Sequence, residues 1–151
     1  METVLKSVSD YLSSVDTAKK FKSIVYSEFL DDMISKNQTP FIDVIGLKTR
    51  KAPYKDMTMK RAYIQYYDIS LVIVQDAKVT KDIIQGSKTV NSIWSLAETV
   101  YTLIEADPTF NGIVNRLAEQ EITMQITTLT KDNSVKLALE MQLTLIKDIF
   151  K

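Results

Sequence analysis

A chain of 151 residues can bury a core of its own but is too short for two full domains. Its nineteen basic and nineteen acidic side chains cancel, so no global field gathers nucleic acid or an anionic membrane, and any such binding has to be local. With neither cysteine nor histidine, the chain has no disulfides, thiolate nucleophiles, Ser-His-Asp arrangements or zinc sites built on imidazole or thiolate.

Only three glycines and three prolines punctuate the sequence, which predicts order along almost its whole length. Met1 to Ser14 mixes polar and apolar residues with acids at Glu2 and Asp10, unlike the basic start and apolar stretch of a signal peptide. No apolar run is long enough to span a bilayer.

Val4, Leu5, Val8, Tyr11, Leu12 and Val15 recur at helical spacing, predicting a first helix from about Thr3 to Val15. Phe21 to Tyr26 contains the β-favouring run Ile24, Val25, Tyr26, while Phe21, Val25, Phe29 and Met33 fall four apart. Both patterns stay open there; the preferred reading is a short strand to Tyr26 and a short helix from about Glu28 to Lys36, ended by Asn37 and Pro40. Phe41 to Leu47 reads as a strand. From Lys48 to Arg61 the pattern disappears and a long loop is expected. Ala62 to Gln75 gives a long strand whose later part is apolar on both faces, as in the middle of a sheet.

Gly86 and Ser87 mark the next boundary. Val90, Ile93, Trp94, Ala97, Val100, Tyr101 and Ile104 then predict an amphipathic helix from Thr89 to Ala106, with Ser87 or Thr89 as its N-cap. Asp107-Pro108 stops it, and Asn111-Gly112 supplies a turn. Ile122, Met124 and Ile126 alternate with polar residues. After the polar turn 131–134, Val135, Leu137, Leu139, Met141, Leu143 and Leu145 alternate likewise, so the two strands are expected to pair as an antiparallel hairpin. The expected fold is a single α+β domain over residues 1–151. A mainly antiparallel sheet packs against the helix Thr89 to Ala106 and an N-terminal helix.

The segment Lys48 to Arg61 carries six basic residues (Lys48, Arg50, Lys51, Lys55, Lys60 and Arg61) against one acid, Asp56. It is either a solvated loop with charged strand ends, or an arm presented to an acidic partner or phosphates, with Tyr54, Met57 and Met59 adding apolar contact. Tyr63, Tyr66 and Tyr67 are expected to pack on the sheet. Asp31, Asp32, Glu119 and Glu121 have no metal-site spacing and read as solvated surface. Asp68, amid strand residues, is assigned to a sheet edge or an interface. With glycine only at positions 46, 86 and 112, neither a G-x-x-x-x-G-K-[ST] nor a G-x-G-x-x-G loop can form. No catalytic activity, cofactor or metal is expected, although carboxylate chemistry through Asp68 stays open.

Tyr101 to Asn115 reads YTLIEADPTFNGIVN. A helix closing on EADPT, a short glycine-containing turn, then IV and a hairpin near the end resembles the tail terminator and tail-completion, or head–tail joining, proteins of long-tailed bacteriophages. The resemblance covers Ser87 to Ile146 most closely and the first half in outline. It implies a structural virion protein, made in the host cytoplasm, that assembles as a hexameric ring. Such a ring caps the tail tube, stops its polymerisation and offers a docking face to the head-completion or connector protein. DNA would touch it at most in passing through the ring lumen, and no membrane is involved. Under that implication the contacts to a neighbouring subunit, tube or connector fall to Lys48, Arg50, Lys51, Tyr54, Lys55, Met57, Met59, Lys60 and Arg61. The alternatives are another phage neck protein, a stopper or connector, and a small nucleic-acid-binding module using residues 48–61.

Overall fold

A computed structural model of the chain describes residues 1–27, 37–53, 62–118, 123–131 and 134–150. The expected helix over residues 28–36 and most of the expected loop, residues 54–61, lie outside them. The elements in chain order are α1 (Glu2–Val15), β1 (Ser23–Tyr26), β2 (Phe41–Pro53), β3 (Tyr63–Ala77), α2 (Thr80–Gln85), α3 (Ile93–Ala106), β4 (Arg116–Leu117), β5 (Thr123–Lys131) and β6 (Ser134–Ile149).

The strands form one sheet in the order β1-β2-β3-β6-β4, with β5 also on β6. β1 runs parallel to β2 and every other pairing is antiparallel, so the α+β expectation holds. β3 is the central strand, bonded to β2 from Pro53↔Tyr63 to Phe41↔Val74 and to β6 along its full length. This explains why its middle is apolar on both sides: Ile69, Leu71, Val72, Ile73 and Val74 are all buried. On the other side of β6, β5 pairs with residues 134–142 and β4 with Leu145 and Ile146. Ala118 N donates to Thr144 O and Asn115 N to Ile146 O, so that edge is occupied almost throughout.

Both long helices pack on one face of the sheet. Val4, Leu5, Val8, Tyr11 and Leu12 of α1 and Ile93, Leu96, Ala97, Val100 and Ile104 of α3 meet Ile42, Val44, Ile69, Leu71 and Ile73. Leu139, Met141, Leu143 and Leu145 of β6 join the same core. The Tyr11 hydroxyl donates to Leu103 O at 2.6 Å, and its ring meets Phe110 edge-on at 5.4 Å, locking the two helices together. Gly46 lets the start of α1 lie close on β2, since a Cβ there would come within 2.8 Å of the Met1 side chain and 3.3 Å of Leu5. The opposite face carries a smaller cluster, Phe41, Val72, Val74 and Ala138.

Several boundaries differ from expectation for local reasons. β2 does not stop at Leu47; it passes a bulge between Gly46 and Lys48 and runs to Pro53, held by pairing with β3 rather than by burial. α3 begins after Ser92, whose Oγ accepts from Ser95 N at 3.0 Å. Ser87 Oγ instead accepts from Thr89 N and Val90 N, closing a turn upstream of the helix. The Asp107 stop stands where expected: its carboxylate accepts from Thr109 N, Thr109 Oγ1 and Asn111 N. Phe110, Asn111 and Gly112 then follow with positive φ. The hairpin of β5 and β6 forms as expected and is longer on both strands, with Lys131 opposite Ser134. The short α2, anchored by buried Ile83, and the two-residue β4 have no counterpart in the sequence pattern.

Candidate functional site

The basic segment is a strand, not a loop, over its first half. Lys48 stands opposite Asp68, Arg50 opposite Tyr66 and Lys51 opposite Gln65. Because side chains alternate across a strand, Lys48 and Arg50 share the face away from the helices with Tyr66 and Asp68, while Lys51 shares the helix side with Tyr63. Arg50 lies 4.8 Å above the Tyr66 ring and Lys51 4.9 Å above the Tyr63 ring. The remaining predicted contact residues, Tyr54, Lys55, Met57, Met59, Lys60 and Arg61, lie outside the described residues, as do Asp31, Asp32, Glu119 and Glu121.

Asp68 is not at a sheet edge. It sits on the central strand between Lys48 of β2 and Thr144 of β6. Its carboxylate accepts from Thr144 Oγ1 at 2.6 Å, Arg50 Nη2 at 3.1 Å and Arg50 Nε at 3.3 Å, with Lys48 Nζ at 3.9 Å. Burial pushes this carboxyl up, but the hydrogen bonds from Thr144 and Arg50 and the charges of Arg50 and Lys48 together outweigh it and hold it below the usual carboxylate range. Asp68 is thus the counter-ion that aims the arm's base. Buried Gln65 adds to this, its Nε2 donating to Arg50 O at 2.9 Å. Of the tyrosines expected to pack on the sheet, Tyr63 and Tyr67 share the helix side and Tyr66 the other. Tyr67 packs against the main core, with its hydroxyl pushed up by burial and then by Tyr63, whereas Tyr63 and Tyr66 support the cations.

The outer side of the stem so built lies beyond the reach of β1. β1 covers β2 only at residues 41–44, and from Leu47 to Lys51 every β2 side chain is exposed. Leu47 is 49% exposed. Among the described residues nothing pairs with this edge beyond Val44, and an unpaired edge flanked by cations is the usual compromise between a bare template and a guarded one.

A second surface escaped the sequence reading. Trp94 and Tyr101 belong to the apolar spacing that predicts the helix, but they are 43% and 38% exposed. The buried stripe is Ile93, Leu96, Ala97, Val100 and Ile104. Trp94, Glu98, Tyr101 and Glu105 fall at offsets of four, three and four, forming a separate stripe on the outward side, and both acids are exposed. Glu105, one turn on, raises the Tyr101 phenol above its ordinary value, with a little burial adding to it. The signal was present in the spacing: aromatic residues seven apart, interleaved with acids, mark a helix side distinct from the one read by Ile93 and Val100.

An open cleft of about 410 Å³ lies between α1 and the turn after α3, lined by Ser7, Asp10, Tyr11 and Ser14 on one side and by residues 110–113 on the other. Among the described residues no group of three or more Asp or Glu is placed to hold a metal ion, and no helix is long and apolar enough to cross a membrane. Comparison of the chain with protein-family models and with curated proteins gives no match.

Proposed function

We propose that the chain is a structural assembly protein of a long-tailed bacteriophage virion, a subunit that closes into a ring on the end of the tail tube and joins it to the head connector without any chemical step. The observation that carries this is the presence of two unlike exposed surfaces on one small domain. One is a basic strand stem whose outer edge is unpaired among the described residues; the other is an outward helix stripe of aromatic and acidic residues. Exposed aromatic side chains ordered beside charges are what protein interfaces use, and unlike surfaces meeting head to tail generate rings when the rotation closes. The phage assignment itself rests on the likeness of residues 101–115 and the hairpin after them.

The rival reading, nucleic-acid binding through the basic stem, has less support. Base stacking needs open aromatic faces, and the Tyr66 and Tyr63 rings are covered by Arg50 and Lys51. Light scattering and negative-stain microscopy test the proposal: rings are expected from the purified protein alone or on mixing with tail tubes. A chain that stays monomeric with tubes present would sink it. Co-purification with a tube protein or with a head-completion protein separates a terminator from another neck component. Salt-sensitive binding to DNA, lost on neutralising Lys48, Arg50 and Lys51, would favour the rival.

A further inference from the structure

We propose that the outward stripe of α3 is the receptor for the basic stem of the β2–β3 hairpin of a second copy of this chain. The inference rests on the ring-forming reading above and names the joint between its subunits. Trp94 and Tyr101, 43% and 38% exposed, are large aromatics held on the surface, where an isolated domain gains little from them. The acids between and beside them, Glu98 and Glu105, are exposed and give the stripe a negative sign.

The stem is the complement in charge and in length. The Lys48 and Arg50 side chains are 65% and 46% exposed, and with Lys51 they outnumber Asp68, the one acid among them. From Trp94 to Glu105 the stripe extends about 16 Å at 1.5 Å per residue; from Lys48 to Pro53 the stem extends about 17 Å at 3.3 Å per residue. A lysine or guanidinium laid on the Trp94 face gains a cation–π contact while its neighbour reaches Glu98. No ion pair among the described residues joins stem to stripe within one chain, and the proposed contact is one between copies. It joins different surfaces, and each copy keeps one of each free for the next neighbour, as a closing ring requires. The neutral total charge leaves no net repulsion to oppose it.

The test is charge exchange read by sedimentation velocity and negative stain. Arg50 is left intact because Asp68 and Tyr66 depend on it. Wild type is expected to associate, and more weakly as salt rises. Glu98→Lys/Glu105→Lys carries two basic surfaces and Lys48→Glu/Lys51→Glu two acidic ones, so each alone is expected to associate at least about tenfold more weakly. Mixed in equal amounts, the two variants should assemble together again, and the chain carrying all four changes should assemble by itself. Rescue by mixing cannot come from a misfolded partner. Wild-type rings whose stability is unchanged in both double variants would overturn this joint and leave the ring reading standing, as would weakened variants that neither mixing nor the fourfold change restores. A wild type that is monomeric at every concentration, with tubes present, would overturn both.

Discussion

On one side of the bulge at Gly46, residues 41–44 of β2 are completely buried; beyond it every side chain from Leu47 to Lys51 is exposed, although both stretches pair with the same strand, β3. The root is held by burial. Ile42 and Val44 face the helices, and Phe41 meets Val72, Val74 and Ala138 on the other side. The stem is held by backbone pairing and by the contacts of Arg50 and Lys51 with Asp68, Tyr66 and Tyr63. The same strand therefore supplies an anchor and a presented surface, and the bulge marks where one passes into the other.

The largest way to break that comparison is to cut a side chain at each end. Ile42→Ala at the root should lower unfolding free energy by about 2–5 kcal/mol, because it removes transfer energy and leaves a cavity in close packing. Leu47→Ala on the stem, beginning 49% exposed, should stay within about 0.5 kcal/mol. Urea titration of the two variants checks the pair, and equal losses would mean that the stem is covered in the free protein.

The two carboxylates on the far face of the sheet sharpen the contrast through pH. Asp43 at the root is fully buried among apolar neighbours, accepts from Ser27 Oγ, and has a second oxygen with no hydrogen-bond partner among the described residues. Burial pushes its carboxyl up, against the lowering effect of the Ser27 bonds. A carboxyl raised in the folded state is neutral more readily there than in the unfolded chain, so this group destabilises the fold increasingly as pH rises through its folded value. Asp43→Asn, which keeps the shape and the acceptor for Ser27, should raise the melting temperature at neutral pH. The gain should shrink as pH falls through the folded value of Asp43. A gain that is flat across pH would remove titration as the cause.

Much of this fold was legible because burial on one face leaves a period in the sequence. β6 alternates from Val135 to Leu145, and α1 shows helical spacing from Val4 to Leu12. What was hidden has a physical reason in each case. Residues 48–51 are polar on both faces, so they carry no period; only pairing with β3 makes them a strand. α2 has one buried side chain, Ile83, too few to write a pattern, and β4 exists only because β6 offers it an edge. Trp94 and Tyr101 join the helical spacing by residue type, while their angular position puts them outside the buried stripe. Asp68 could not be placed without knowing that β3 lies between β2 and β6. Of the candidate site, Lys48, Arg50 and Lys51 stand out by their charge, whereas Trp94 and Tyr101 are hidden within the apolar spacing of the helix, and Glu98 and Glu105 form no charge run.

Asp68, on the stem, has the opposite sign to Asp43. A carboxyl held low in the folded state contributes stability that is present above its unfolded value and lost as pH falls through the folded one. Asp68→Asn should therefore cost stability at neutral pH, with the difference closing in acid. The half-exposed Arg50 and Lys48 are screened by water, which keeps the expected cost to about 1 kcal/mol. Differential scanning fluorimetry across pH on the two Asn variants should give curves of opposite slope, and curves of the same slope would refute the division between root and stem.

The smallest expected effect is the Arg50–Tyr66 contact. In a double-mutant cycle, Arg50→Met and Tyr66→Leu remove the cation and the ring while keeping apolar bulk, and coupling of about 0.5–1 kcal/mol is expected for an exposed cation–π pair. Asp68 complicates the single Arg50 change, because it loses two of its hydrogen bonds there. Running the cycle again on Asp68→Asn separates ring from carboxylate. If the coupling survives in that background, the tyrosine itself holds the guanidinium over the sheet, and the stem is preorganised for contact from both its partners. If it vanishes, Asp68 alone aims Arg50 and the ring beneath is only a platform for packing.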